Sequence, residues 1–310
     1  MPIVRFIGML SVIVWAQWAT TGGPVAAQAP DSGRGLAVRL SESAVPGTAA
    51  AYDVQGRPTY CTTYGKGSPT VVLITGFGAP QQVWAPVIGD LAKTATVFTY
   101  DRAGYGRSEA PPGDAPIDGG QSADDLWRLL EKAKVPAPYV VVGHSMGVDI
   151  ARLFASAHPD RVCGLILEDG SHEDLRMETH RDAMEGKDRE VVKQMAKGAP
   201  GLSGVMKREF LGGDRTKELL RGSPPLPRVP FVVLTSGARR APPMLSEAGQ
   251  KTWTEIGLAY QKKLAALIPG GRHVVVEKAG HIIHQDDPGA LIGAVEWTIA
   301  EARKRSLVRG

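Results

Sequence analysis

Short runs of apolar, mostly β-branched residues recur along the chain from about residue 59 onward. Six of them are apolar at successive positions instead of alternating with polar residues: 70–75, 97–100, 139–142, 164–167, 231–234 and 274–276. Continuous apolar runs bounded by turn residues are typical of strands that are buried on both faces, as in a parallel sheet. The pattern therefore predicts six buried strands.

Helical patterns separate several of these strands. Leucines and other apolar residues recur every three or four positions in 124–133, 148–157 and 257–267. Alternating strands and helices are typical of βαβ units, which predicts an α/β fold with a mostly parallel sheet and helices on both faces. Two further strands, 50–54 and 59–64, flank a Gln-Gly-Arg-Pro turn and predict an antiparallel hairpin at the sheet edge.

One region breaks this alternation. Residues 172–228 contain no strand candidate, are rich in charge and contain four methionines. We interpret this segment as a helical lid over the carboxyl ends of the strands, where open α/β sheets bind ligands; an insertion without such a role is the alternative. The methionines either line an adaptable apolar pocket or pack the lid against the core. The core is then residues 50–171 together with 229–310.

The first residues have a different composition. A basic residue, Arg5, precedes an apolar run from position 6 to 16, and small residues follow, which is typical of a secretory signal peptide. The sequence predicts cleavage after Ala27, with cleavage after Ala29 and an uncleaved anchor as alternatives. Residues 28–49 are rich in Gly, Ala, Ser and Pro and are interpreted as a linker. We therefore expect a secreted or periplasmic protein.

Residues 143–147, Gly-His-Ser-Met-Gly, form the pattern G-x-S-x-G. They follow the predicted strand 139–142 directly and precede the predicted helix 148–157, which is the context of a nucleophile elbow. Such a turn strains the serine backbone and raises its hydroxyl above the sheet, while the two glycines let strand and helix approach closely. The motif predicts Ser145 as a nucleophile.

With this motif the sequence resembles the α/β-hydrolase superfamily over nearly all of the chain after the linker. Four further stretches are similar to segments of that family: 75–78 (Thr-Gly-Phe-Gly), 101–108 (Asp-Arg-Ala-Gly-Tyr-Gly-Arg-Ser), 158–162 (His-Pro-Asp-Arg-Val) and 280–284 (Gly-His-Ile-Ile-His). The resemblance implies an α/β-hydrolase fold, with a mostly parallel central sheet, helices on both faces and an inserted helical lid.

A serine hydroxyl needs a base to take its proton. His281 follows the last predicted strand and matches the family's base, with His284 as a local rival. The resemblance also implies an oxyanion hole made by the backbone N–H groups of Phe77 and Met146. Many relatives have His where Thr75 stands, a difference that affects the support of this loop more than its backbone donors.

The acid is the residue for which the sequence departs from the commonest family pattern. The acid usually follows the seventh strand, but residues 235–241 contain no carboxylate, and the next one is Glu247. The sixth strand ends in Glu168 and Asp169, and some relatives carry the acid at this earlier position. Successive strand residues face opposite ways, so only one of these two can point to His281. We predict Asp169, with Glu168 and Glu247 as alternatives.

Composition narrows the functional classes. The chain has 310 residues, 43% of them hydrophobic, and a formal net charge of +4 with no concentrated basic patch, which disfavours nucleic-acid binding. The two cysteines, Cys61 and Cys163, form neither a disulfide framework nor a zinc motif, and we expect both to be unpaired thiols. We expect no metal and no cofactor.

The resemblance and the motif together predict a serine hydrolase that cleaves a carboxylic ester-type bond of a small, largely apolar substrate through an acyl-enzyme. A lactonase, a C–C hydrolase, a cofactor-free perhydrolase and a slow-turnover ligand sensor are the alternatives. Epoxide hydrolase and haloalkane dehalogenase chemistry is disfavoured, because such relatives have Asp where Ser145 stands. The expected partner is a small-molecule substrate, with no stable membrane insertion after signal cleavage; the oligomeric state stays open.

Overall fold

The computed structural model describes residues 45–196, 201–238 and 241–309 of the chain. The predicted signal peptide, residues 1–27, lies outside the described residues, as does most of the predicted linker, residues 28–49. The sheet and the helices all belong to the three described ranges.

Eight strands of the described residues form one sheet, and their spatial order is β1-β2-β4-β3-β5-β6-β7-β8. The strands are β1 Thr48–Val54, β2 Arg57–Tyr64, β3 Thr70–Ile74, β4 Thr96–Tyr100, β5 Tyr139–His144, β6 Val162–Glu168, β7 Phe231–Ser236 and β8 Arg272–Val276. The pairs β1–β2 and β2–β4 are antiparallel, and all other pairs are parallel. A strand is present at each of the six predicted positions, and the predicted edge hairpin is confirmed.

Helices connect these strands. They are α1 Ala85–Leu91, α2 Gly119–Lys132, α3 Gly147–Ala157, α4 Met177–Ala183, α5 Gly186–Met195, α6 Gly204–Gly222, α7 Glu247–Ala265, α8 Ile283–Asp286 and α9 Pro288–Arg309, with short 3-10 helices at Gln81–Trp84 and Pro159–Arg161. None of the helices among the described residues is long and apolar enough to cross a membrane.

Two of the predicted helices begin earlier than the apolar period indicated. α2 begins at Gly119, because the Asp118 side chain accepts a hydrogen bond from the Gln121 N–H (2.9 Å) and the Gln121 side chain accepts one from the Asp118 N–H (2.9 Å). The predicted helix 257–267 is α7, which starts ten residues earlier, at Glu247. Its first half, 247–256, is mostly polar and contains only two large apolar residues, Trp253 and Ile256, so the apolar period does not extend over it.

Two apolar layers cover the two faces of the sheet. Side chains of α2 and α3 pack on one face, and those of α1 and α9 pack on the other. Neighbouring residues of β3 belong to different layers: Val72 and Ile74 face α2 and α3, whereas Val71 and Leu73 face the other side. This double coverage is the reason that the central strands are apolar at successive positions.

β8 departs from that expectation. Val274 and Val275 are 40% and 36% exposed, so the prediction that this strand is buried on both faces is wrong. Within the described residues β8 pairs only with β7, and it forms the edge of the sheet. Val276, at its end, is buried against the α8–α9 side.

The segment between β6 and β7 carries α4, α5 and α6. Met177, Met184 and Met195 are buried together with Trp253 of α7, which gives α4, α5 and the first half of α7 a small apolar core of their own. These three methionines therefore pack the insertion against α7. α6 packs on the main core, where Thr216 Oγ1 accepts a hydrogen bond from the Gly119 N–H at 2.8 Å.

Candidate active site

The turn between β5 and α3 has the geometry of a nucleophile elbow. Ser145 has φ +54°, in the left-handed region that is strained for a residue with a side chain. A side chain at Gly143 would collide with the backbone of Gly147, so this close crossing of strand and helix requires glycine. The Ser145 N–H donates to the Glu168 carbonyl at 2.9 Å, which ties the turn to the end of β6.

Three side chains from three different strand ends meet above the sheet. Ser145 Oγ lies 3.0 Å from His281 Nε2, and His281 Nδ1 lies 2.6 Å from Asp169 Oδ2. Because the carboxylate can only accept, the Nδ1–H donates to Asp169, and Nε2 is left to accept the Ser145 hydroxyl proton. The structure thus brings together the predicted nucleophile, base and acid, and the predicted contact of Asp169 with His281 is present.

Asp169 is held by the neighbouring strand β7. Its backbone N–H donates to the Leu234 carbonyl at 2.8 Å, and its Oδ1 accepts from the Ser236 N–H at 3.1 Å. Its backbone has φ +44°, and the side chain is fully buried. One carboxylate oxygen is therefore fixed by β7, and the other is directed at His281.

Glu168 and His284, the rivals in the sequence, bind each other instead. Glu168 Oε1 accepts from the His284 backbone N–H and from its Nδ1–H, both at 2.8 Å, and both side chains are fully buried. Burial raises the pKa of Glu168, but the charge and hydrogen bonds of His284 outweigh it and leave that pKa below its ordinary value. Glu247, the third candidate acid, is exposed at the start of α7.

His144 supports the histidine loop from below. Burial lowers its pKa to about 3, so the imidazole is neutral near pH 7. Its Nε2–H donates to the carbonyl of His281 at 2.9 Å. The side chain next to the nucleophile therefore holds the backbone of the base.

His144, Glu168 and His284 are also the group of the described residues that comes nearest to a metal-binding arrangement. Each of the three side chains has one polar atom in a hydrogen bond and one atom, His144 Nδ1, Glu168 Oε2 or His284 Nε2, that has no hydrogen-bond partner among the described residues. His144 Nε2 is engaged by His281, and its Nδ1 faces the backbone at Gly76, 3.0 Å from where a Cβ would lie. Glu168 Oε1 already accepts two hydrogen bonds. The cluster is a hydrogen-bonded support under the serine and histidine turns.

The predicted oxyanion donors flank Ser145. Met146 caps the N-terminus of α3, and the loop after β3 comes so close that a Cβ on Gly76 would lie 3.0 Å from the Ser145 Cβ. Among the described residues, neither the Phe77 N–H nor the Met146 N–H donates to a protein acceptor. Two unengaged backbone donors beside a serine hydroxyl are suited to bind a developing oxyanion.

Sequence reasoning missed the residues that hold the loop after β3, residues 75–78, which carries the predicted donor Phe77 and is called the oxyanion loop below. Arg102 Nη2 donates to the Gly76 carbonyl at 2.8 Å, and the Arg102 guanidinium is paired with Glu209 of α6. Arg102 lies in the 101–108 motif, so the sequence contained a signal that could have identified it as a functional residue. Glu209 lies 107 positions further along, in a segment without a recognisable motif.

Comparison with known proteins agrees with this geometry. Residues 69–201 match the family described as the alpha/beta hydrolase fold. The enol-lactonase from Burkholderia xenovorans LB400 has a similar structure, with a TM-score of 0.57 and 22% identity, over 81% of this chain and 100% of that one. At this identity the likeness shows the fold alone. The chain has the α/β-hydrolase fold, and it is similar to hydrolases of that fold.

Curated relatives cover different shares of the chain. It is 26% identical over 240 residues, 73% of its length, to an uncharacterized protein of Bacillus subtilis, YqjL, of which 83% is covered. It is 33% identical over 164 residues to the pimeloyl-acyl-carrier-protein methyl ester esterase of Chromobacterium violaceum, a match over 52% of this chain and 61% of that enzyme.

Proposed function

We propose that this protein is a serine hydrolase that cleaves a carboxylic ester-type bond of a small, largely apolar substrate through an acyl-enzyme. The observation that carries the proposal is the continuous hydrogen-bonded chain from Asp169 through His281 to Ser145, with distances of 2.6 and 3.0 Å. Hydrogen bonding between nucleophile, base and orienting acid is the arrangement that activates a serine.

In the proposed reaction, Ser145 Oγ attacks the ester carbonyl carbon while His281 Nε2 takes the hydroxyl proton. The carbonyl oxygen becomes negatively charged and is bound by the N–H groups of Phe77 and Met146. When the carbon–oxygen bond to the alcohol breaks, the imidazolium returns its proton to the leaving oxygen. His281 then removes a proton from water, which attacks the acyl-enzyme. The bond to Ser145 Oγ breaks, the imidazolium returns this proton to Ser145 Oγ, and the carboxylic acid is released.

Asp169 keeps the imidazole in the tautomer that has a free Nε2, and its charge stabilises the imidazolium.

We also propose that residues 172–228 act as the lid of this site. In support, α6 reaches the oxyanion loop: the Met206 Cε would lie 3.4 Å from a Cβ at Gly78. The methyl ester esterase among the relatives favours ester substrates, although its match covers about half of the chain.

The test is a turnover screen over chromogenic esters, lactones and amides of graded acyl length, with wild type and the Ser145→Ala variant. We expect ester turnover that falls roughly 10³–10⁶-fold in the variant, because triad members act as a unit. A fluorophosphonate should label the wild type at Ser145 and leave the variant unlabelled. Circular dichroism of both proteins controls for folding.

Full activity in the Ser145→Ala variant would contradict the proposal. Turnover confined to lactones would support Ser145 as the nucleophile, but the substrate class would then be lactones and not open-chain esters. Labelling of Ser145 with no turnover of any compound in the screen would favour the slow-turnover sensor instead.

A further inference from the structure

A side chain with no role in the proposed reaction holds the peptide between Gly76 and Phe77. The Arg102 guanidinium, 3% exposed, donates from Nη2 to the Gly76 carbonyl at 2.8 Å. In a trans peptide, the carbonyl and the N–H of the same unit point in opposite directions. The bond to the Gly76 carbonyl therefore also fixes the direction of the Phe77 N–H.

Arg102 is itself held by α6. Its guanidinium is paired with Glu209, which is 4% exposed, and it lies over the ring of Tyr105, 4.6 Å from the ring centroid. The Tyr105 hydroxyl donates to Glu209 Oε2 at 2.5 Å. The three side chains are buried, so each of their polar contacts is strong and the loss of one leaves a buried charge poorly compensated.

α6 also touches the two loops directly. A side chain at Gly104 would collide with Val205, and Met206 approaches Gly78 as described above. Val205 and Glu209 are four residues apart and lie on one face of the helix. This face of α6 thus rests on the oxyanion loop and on the loop that carries Arg102.

We propose that Glu209 is a positioning residue: through Arg102 it sets the orientation of the Gly76–Phe77 peptide and couples the seating of α6 to the oxyanion donor. The inference rests on the proposed function, because the Phe77 N–H acts only where an oxyanion forms. Since the transition state depends on this donor more than the bound ester does, a disturbed Glu209 lowers kcat and has little effect on KM.

The test compares Glu209→Gln with Arg208→Met, its neighbour on α6. Arg208 docks the same helix, with Nε donating to the Ala115 carbonyl at 2.7 Å and Nη1 to the Pro111 carbonyl at 2.5 Å. The Arg208→Met variant therefore removes buried contacts of α6 but leaves the hydrogen bond to the Gly76 carbonyl in place. The readouts are kcat and KM on the best ester, thermal stability, and the amide signal of Phe77 in protein labelled with ¹⁵N-phenylalanine.

Removal of one oxyanion donor costs about 10²–10³-fold in kcat, and we expect a misplaced donor to cost roughly 10–100-fold. Glu209→Gln should show this loss, a KM within about threefold of wild type, and a shifted Phe77 amide signal. Arg208→Met should lower thermal stability and leave kcat and the Phe77 signal close to wild type.

A double-mutant cycle of Glu209→Gln with Arg102→Gln tests whether Glu209 acts through Arg102. If Glu209 acts through Arg102, Glu209→Gln should add little to the loss in kcat already caused by Arg102→Gln. Additive losses would overturn the coupling, as would equal losses of kcat in the Glu209 and Arg208 variants. If Glu209→Gln does not fold, Tyr105→Phe, which removes one bond to Glu209, should shift the same amide signal, and an unmoved signal overturns the proposal.

The amide measurement separates this inference from the proposed function. A wild type that hydrolyses no compound of the screen would overturn the proposed function. The Phe77 signal would still decide the coupling, because it reports the orientation of the Gly76–Phe77 peptide without any turnover.

Discussion

Two neighbouring carboxylates at the end of β6 have different hydrogen-bond partners. We therefore expect substitutions of the two residues to affect activity and stability differently. The Asp169 carboxylate reaches His281 Nδ1 at 2.6 Å, whereas the Glu168 carboxylate reaches His284 Nδ1 at 2.8 Å. β6 ends at Glu168, and Asp169 follows it with φ +44°, so the chain turns between the two side chains. One therefore orients the proposed base, and the other anchors the turn that follows it.

Asp169→Asn should remove most activity and little of the fold. An amide in place of the carboxylate presents a donor or a weaker acceptor to Nδ1 and favours the imidazole tautomer in which Nε2 carries the proton. The expected loss in kcat is on the order of 10⁴-fold, as for the same change in a serine protease triad. Ester turnover measures it, with the exposed Glu247→Gln as the control. Wild-type activity in Asp169→Asn would move the acid elsewhere.

Glu168→Gln should act on stability more than on activity. The variant loses a buried, charged acceptor of two hydrogen bonds from His284. A hydrogen bond to a charged group contributes about 1.5–3 kcal/mol, so we expect the free energy of unfolding to fall by roughly 2 kcal/mol. Urea titration measures this, while kcat should fall less than about tenfold. A loss of kcat as large as that of Asp169→Asn would make Glu168 the better candidate for the acid.

α3 and α6 meet through charged side chains that are nearly as buried as the apolar core. Asp149 of α3 is 8% exposed and Lys217 of α6 is 5% exposed. Arg152 of α3 binds Glu173, in the loop after β6, through two bonds of 2.7 and 3.0 Å. Burial raises the pKa of Asp149 to about 6, and burial lowers the pKa of Lys217.

The raised pKa of Asp149 makes stability depend on pH. Between its ordinary value of 3.8 and about 6, the folded chain keeps a proton that the unfolded chain has lost, so the free energy of unfolding falls as pH rises through this window. At 1.36 kcal/mol for each pKa unit, the fall is roughly 2–3 kcal/mol.

Asp149→Asn should remove this fall, because an amide has no proton to lose. The free energy of unfolding of wild type minus that of the variant should decrease between pH 4 and pH 7, as measured by urea titration at each pH. Asp124→Asn, on the exposed face of α2, controls for the change of carboxylate to amide. A constant difference across the window would place the ionisation of Asp149 outside it.

On the scale of the whole molecule, the pairing state of the two thiols tests the strand order. Cys61 lies on β2 and Cys163 on β6, with β4, β3 and β5 between them. Four strand spacings amount to roughly 19 Å, far more than the Cα separation of about 7 Å that a disulfide tolerates. Both thiols are free, and burial raises the pKa of each to about 11, so they are poor nucleophiles in the folded protein.

The signal-peptide pattern of residues 1–27 predicts an exported chain that begins at or near Gln28, and the strand order predicts that this chain keeps two unpaired thiols. Intact mass spectrometry of the protein recovered from the periplasm or medium should give the mass of residues 28–310. Alkylation at pH 8 should add nothing to the folded protein and two groups to the unfolded one. A mass lower by two hydrogens, with no alkylation after unfolding, would show a disulfide, and retention of residues 1–27 would contradict cleavage.

Local pattern was sufficient for the elements whose signal lies in adjacent residues. The central strands are covered on both faces and therefore read as continuous apolar runs, and the turn at Ser145 needs glycines at fixed offsets. Local pattern also explains two wrong predictions, the burial of β8 and the start of α7. The sequence of an edge strand, or of a half-exposed helix end, does not show which elements pack against it.

Contacts between distant residues were decided by tertiary structure. The sequence predicted that Glu168 and Asp169 face opposite ways, but only the packed loops show which one meets His281, 112 positions from Asp169. The pair of Arg102 and Glu209 spans 107 positions and follows from the seating of α6 on the oxyanion loop. A single sequence records the residue types that chemistry needs, whereas the partner of a buried charge is set by which elements pack together.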